Sequence, residues 1–253
     1  MSIDSSLNFE VKSIEISKTP LPHEIIFGKE LGQEDMALLE HQWDVFNQIK
    51  QFPIFENPIQ KRRLEGGVDL TQGTLLHGTS FNIEKIKKIK ETGIVSGELI
   101  GIPEDNETHY CADFFRVPND TSIPQYLEWC GQPIINGMLK IKRGESAYLP
   151  RQGKQSKQIA FIINNEDSRL QPLLKYDAYG PSSHERMKSI INFLPREFDP
   201  SPTRTTSAIL IGIPSNFISG IIISDGISTG EAADIKQIMG EMTSVFRTNG
   251  EII

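Results

Sequence analysis

The sequence predicts an α+β domain with a mainly antiparallel sheet. From Thr74 onward, short apolar runs separated by turn residues recur at "TLLHG", "PIINGMLKIK", "QIAFIIN", "SAILIGIP" and "FISGIIISD", the grammar of β-strands. Helical patterns interrupt those runs, and one precedes them, which is the element order of an α+β unit. The composition is 38% hydrophobic and 23% charged over 253 residues, that of an ordinary globular chain with room for one main core plus an elaboration.

Along the chain, residues 34–52, "EDMALLEHQWDVFNQIKQF", come first. Met36, Leu39, Trp43, Phe46 and Ile49 fall at helical spacing, and Pro53 supplies a stop. The stripe is expected to pack onto the main core. The stretch "PIFENPIQKRRLEGG" is rich in turn residues and reads as a linker, its basic cluster Lys61, Arg62 and Arg63 being a solvated loop or a phosphate contact. The expected organisation is an N-terminal helical extension over 1–70 and a main domain over 71–253. Within "NIEKIKKIKETG", Ile83, Ile86 and Ile89 form an apolar edge, the lysines a wet face, and Gly93 a C-terminal cap. "SHERMKSIINFL" and "GEAADIKQIMGEM" supply further helices, and there is no internal repeat.

Charge and composition narrow the partners. With 26 basic against 33 acidic residues, the formal charge of −7 gives no general footprint for a phosphate backbone, so nucleic acid is not favoured. No apolar run approaches the roughly 20 residues of a membrane helix, so no membrane partner is expected. The N-terminus "MSIDSSLNFEVKSIEISK" has no basic segment followed by an apolar stretch, which points to a cytoplasmic protein. Cys111 and Cys130 are too few for a zinc cluster of usual spacing or a disulfide framework, so both are expected as plain thiols and no metal is expected.

The chemistry is concentrated around "TLLHGTS". His77 is expected at the end of a strand, where an imidazole, the Gly78 backbone and the hydroxyls of Thr79 and Ser80 would converge on a polar ligand. Further along, "THYCADFF" sets Tyr110 between His109 and Asp113, after a long polar loop. Each residue alone would ordinarily be structural.

Together, "LLHGTS", the amphipathic helix ending in "TGIVSG", and "HYCADFF" resemble the donor site of the diphtheria-toxin-like ADP-ribosyltransferases, the group that includes the poly(ADP-ribose) polymerases. The stretch "TSAILIGIPSNFISGIIIS" resembles that family's paired C-terminal strands, so the likeness touches 74–224 at three places in the family's order. It implies split antiparallel sheets with flanking helices, and NAD as co-substrate. His77 would hold the adenosine ribose, Gly78 the nicotinamide amide, and Tyr110 would stack on nicotinamide, with Thr79 or Ser80 on the nicotinamide ribose.

The family's third motif residue is commonly a glutamate, and strand alignment puts Ser207 there. A serine brings no negative charge to an oxocarbenium-like transition state, and losing such a group costs on the order of 2.7 to 4 kcal/mol. Three readings follow. The protein transfers a single ADP-ribose with charge supplied by the acceptor; or Glu197 or Asp199 of "PREFDPSPTRTTS" reaches the site; or the fold binds NAD or an ADP-ribose compound without catalysis. That proline-rich polar loop lies where the family reads its acceptor, so a target protein is the expected partner. A related activity, NAD-dependent RNA 2'-phosphotransfer, needs several basic groups, for which Arg116 and Arg204 are the candidates. By analogy, the small size also fits a delivered effector or toxin.

Overall fold

The computed structural model describes residues 33–53, 63–64, 67–68, 74–96, 111–116, 157–174, 177–178, 206–241, 243–247 and 251–253. Helix α1 spans Gln33–Lys50 and buries Leu39, Phe46 and Ile49 in the same hydrophobic cluster as the sheet, with Met36 and Trp43 packed at its margin. The predicted stripe is therefore the buried one. Its last turn is held from outside: the Asn216 amide donates to the carbonyls of Ile49 and Phe52, each at 3.0 Å, satisfying acceptors that a helix end leaves open. Arg169, held by Asp167, lies 5.3 Å from the Phe52 ring and 5.6 Å from the Phe217 ring, a cation seated between two aromatic faces.

Part of the expected linker is ordered as a hairpin, in which β1 (Arg63–Leu64) pairs antiparallel with β2 (Gly67–Val68). The main sheet contains β3 (Leu75–Ser80), β5 (Cys111–Arg116), β6 (Gln158–Ile163), β7 (Asp177–Ala178), β8 (Thr206–Leu210), β10 (Ile218–Ile223) and β11 (Ser244–Arg247). A smaller sheet pairs β4 (Ile94–Val95) with β9 (Gly212–Ile213). The seven-stranded order is β11-β10-β6-β3-β5-β8-β7. The architecture is α+β as expected, but the sheet is mixed, because β10 and β11 run parallel. A parallel neighbour needs a crossover, and helix α4 (Thr229–Met239) lies between them in sequence, opened by a capping box of Ser228 and Glu231.

Central strands β6 and β10 are buried along nearly their whole length, so "AFII" and "GIII" read as continuous apolar runs. Leu75, Phe161 and Ile221 belong to the main cluster on one face, while Leu76, Ile162 and Ile222 are buried on the other. Helix α2 (Ile83–Thr92) packs against α4 and buries Ile86 and Ile89, with short helix α3 (Gln171–Leu174) against α1. Asn82 caps α2 by accepting from the backbone N–H groups of Glu84 and Lys85, and Gly93 ends it at φ 93° as expected. The lysine face is not simply wet. Lys85 donates to Thr79, Lys87 to Glu84, and Lys90 to the last carbonyl of α4, that of Met239.

"SAILIGIP" is two strands, not one. Ile211 has φ 69°, a left-handed conformation rare for a β-branched residue, and Gly212 follows at φ 132°. That corner turns the chain out of the main sheet into β9, where the Ile211 carbonyl accepts from the Ser96 N–H at 2.9 Å. "FISGIIISD" enters its strand through a 3-10 turn at Ser215–Phe217 and carries a register irregularity between Ile218 and Gly220. The Ser219 hydroxyl answers it by donating to the Ile162 carbonyl at 3.1 Å. The predicted strand at 133–142 and helix at 183–194 lie outside the described residues.

Candidate functional site

Strand β3 begins in the core. Leu75 and Leu76 are fully buried, and the Leu75 N–H donates to the Asn165 side chain at 3.0 Å, which ties the strand's start to the loop after β6. From there β3 pairs with β6 along its whole length, from Leu75↔Ile163 to Ser80↔Gln158. On its other side it pairs with β5 only at Leu75↔Arg116 and Leu76↔Phe115. On its opposite edge, β5 is registered with β8 over a longer span, from Phe115↔Thr206 to Cys111↔Leu210. The sheet is thus two half-sheets joined by a short ladder. From Gly78 to Ser80, the β5 side of β3 has no registered strand partner among the described residues.

His77 stands where the two halves part. Its ring lies 5.7 Å from the Phe114 ring on β5, tilted by 56°, and 6.4 Å from the Phe161 ring on β6, tilted by 31°. It is half-buried, an imidazole edged by two aromatic rings at the boundary of the core. Ser207 is registered with Phe114 on β8. Three segments far apart in sequence therefore occupy neighbouring strands, with His77, Phe114 and Ser207 at one level of the sheet.

Two details differ from the sequence expectation. The strand does not end at His77, because pairing with β6 carries it on to Ser80. The strand period of two then sets His77 and Thr79 on one face and Gly78 and Ser80 on the other, so the imidazole and the two hydroxyls do not all converge. What Gly78 offers is backbone along an edge that has left the β5 ladder. Thr79 is buried and its hydroxyl accepts from the Lys85 ammonium at 2.9 Å, while Ser80 is exposed.

Tyr110, His109, Glu197, Asp199 and Arg204 lie outside the described residues. Tyr110 immediately precedes Cys111, the first residue of β5, at the end of that strand away from the β3 ladder. Arg116 registers with Leu75, at the closed end of the opening. Asp113, registered with Ala208, is the one acidic residue on β3, β5 and β8.

Beyond the end of β3, Lys157 pairs with Glu231 at 2.5 Å and lies 5.9 Å from the Phe81 ring. The lysine's hydrogen bond, with help from the Ser228 backbone and hydroxyl, lowers the Glu231 pKa to about 2. Sequence reasoning did not single out Phe114, Phe161 or Lys85 as members of this region. The signal for Lys85 was present in the spacing Asn82-x-x-Lys85, which fixes it on the first turn of α2 after an N-cap. The two phenylalanines depend on strand order, which no local pattern encodes.

Among the described residues, no group of three His, Cys, Asp or Glu side chains is arranged to hold a metal ion. No described helix is long and apolar enough to cross a membrane. No family model matches the chain, and no curated protein matches it either.

Proposed function

We propose that this chain is an NAD-dependent mono-ADP-ribosyltransferase of the diphtheria-toxin-like class, acting on a target protein in the cytoplasm. The observation that supports this reading is the shortness of the β3–β5 ladder beside His77, registered at Leu75 and Leu76 among the described residues. It lies within the resembling segment "LLHGTS", with the segment after Tyr110 on the facing strand and Ser207 one strand further. An edge that has left its ladder gives Gly78 a backbone with which to meet the nicotinamide amide, and the absence of a Cβ permits close approach. His77, at the same opening, addresses the adenosine ribose, and Tyr110 stacks on nicotinamide.

In the proposed reaction the bond between the ribose C1' and the nicotinamide nitrogen breaks, and its electron pair neutralises the departing pyridinium. A nucleophile of the target forms the new bond to C1' and gives up its proton. Positive charge gathers on the ribose meanwhile, and Ser207 supplies only a hydrogen bond. The compensating charge comes from the acceptor, or from Glu197 or Asp199. Chain elongation is disfavoured, because Ser207 is poorly suited to activate an acceptor hydroxyl.

Incubation of the full chain with labelled NAD and cell lysate tests the proposal. The expected result is label on protein with stoichiometric nicotinamide release. Label transferred to nucleic acid would refute the protein target. The same Ser207 favours a second reading, a catalytically silent NAD or ADP-ribose binding module. Tight NAD binding without nicotinamide release would select it. NAD-dependent RNA 2'-phosphotransfer has less support, since Arg116 sits at the closed end of the opening.

A further inference from the structure

We propose that Lys85 and Thr79 together seat the diphosphate of the dinucleotide, making this site select ligands that carry the diphosphate over free nicotinamide; this rests on the NAD reading above. Thr79 is two residues beyond His77 on the same face of β3, about 7 Å along the strand. Lys85 reaches it from the first turn of α2, donating from Nζ to Thr79 Oγ1 at 2.9 Å. That hydrogen bond occupies a lone pair of the hydroxyl and leaves its hydrogen to donate, while the ammonium keeps two further N–H groups. The pair therefore keeps unused donors of the kind that phosphate oxygens, which only accept, require, with Thr79 buried and Lys85 exposed beside it.

The other lysines nearby are committed elsewhere. Lys87 is paired with Glu84 at 2.7 Å, Lys157 with Glu231, and Lys90 donates to the Met239 carbonyl at 2.8 Å. Lys85 makes no ion pair among the described residues. The Asn82 side chain, accepting from the Lys85 backbone N–H at 3.2 Å, fixes the backbone of that residue at the positive end of α2. A dinucleotide carries its diphosphate between two riboses. With His77 at the adenosine ribose, the Lys85–Thr79 pair stands two residues along the same face of β3, where the linkage leaves that ribose.

The test is calorimetric titration of the full chain with NAD, ADP-ribose and nicotinamide, for the wild type, Lys85→Gln and Lys85→Arg. Lys85→Gln should weaken NAD and ADP-ribose by about tenfold, the scale of one lost charge-assisted hydrogen bond, and leave nicotinamide affinity unchanged. Lys85→Arg should restore most of the loss, and the salt dependence of NAD binding should flatten only in Lys85→Gln. Unchanged NAD affinity in Lys85→Gln, or an equal loss on nicotinamide, overturns the diphosphate seat while the NAD site stands. A wild type that binds neither NAD nor nicotinamide removes both readings.

Discussion

Replacing Gly212 by alanine should be among the most damaging single-methyl changes in this protein, and replacing Gly230 by alanine among the mildest. Gly212 sits at φ 132°, and a Cβ built on it would come 2.0 Å from the Ile94 carbonyl oxygen and 2.7 Å from the Val95 Cα. Both neighbours are backbone of the paired strand β4, so neither can swing aside as a side chain would. The unfavourable φ costs about 1 to 3 kcal/mol, and forcing packed atoms apart adds about 1 to 3 kcal/mol. Together they predict a loss of about 2 to 6 kcal/mol, a large share of the 5 to 15 typical of a folded domain. In thermal terms this is a fall of about 4 °C or more. Gly230, in the first turn of α4, has nothing within 4 Å of its added Cβ. There the alanine removes backbone freedom from the unfolded chain and should stabilise by up to about 1 kcal/mol. Urea unfolding of the two variants beside the wild type measures both signs. A Gly212→Ala protein within about 0.5 kcal/mol of the wild type, the range of ordinary surface changes, would refute the close approach of β4 and β9.

Asn165→Ala strips the Leu75 N–H of its buried acceptor and should cost about 1 to 3 kcal/mol in chemical denaturation; no loss would mean that the start of β3 is held by other means. The Glu231 pKa is lowered from 4.5 to about 2 by its bonds from Lys157 and Ser228, so the stabilisation is present above about pH 4.5 and drains away as pH falls toward 2. Glu231→Gln should flatten that acid limb in unfolding curves taken across the window, and an unchanged limb would count against the pair. If the chain is an active transferase, His77→Ala should abolish labelled transfer through lost NAD binding, whereas Ser207→Ala should slow it little. A loss of about 100-fold or more in Glu197→Ala or Asp199→Ala would identify that carboxylate as the missing charge. Full transfer by His77→Ala would put the site elsewhere.

Local patterns carried much of the fold. The α1 stripe, the isoleucines of α2 and the Gly93 cap all follow from rules that act within a few residues, and each is found where its spacing demands. The break at Ile211 was not legible, since a buried isoleucine at positive φ contradicts its own preference and is imposed by the ladder to β4. Nor was the crossover to β11, whose four residues "SVFR" are too short to announce a strand. At the site, "LLHGTS" was visible as a motif, but its continuation as a strand to Ser80 depends on pairing with Gln158, distant in sequence. The residues that flank His77 had no local signature at all.

The same short ladder that opens the edge at His77 also governs how the two halves of the proposed site face each other. His77 and Gly78 belong to the half that contains β6 and β10, whereas Ser207 and the segment after Tyr110 belong to the half built from β5 and β8. Among the described residues, Leu75↔Arg116 and Leu76↔Phe115 are the strand pairs that join the halves directly. The remaining restraint comes from the shared core, where Leu75, Phe114, Phe161 and Ile209 lie in one cluster, and from the β4–β9 pair, which ties the chain after α2 to the chain after β8. A packed core resists continuous deformation, so it helps to hold the spacing between the half-sheets where the registered ladder is short. That division of labour would suit the proposed ligand, with Gly78 beyond the registered ladder and the geometry kept by the side chains beneath.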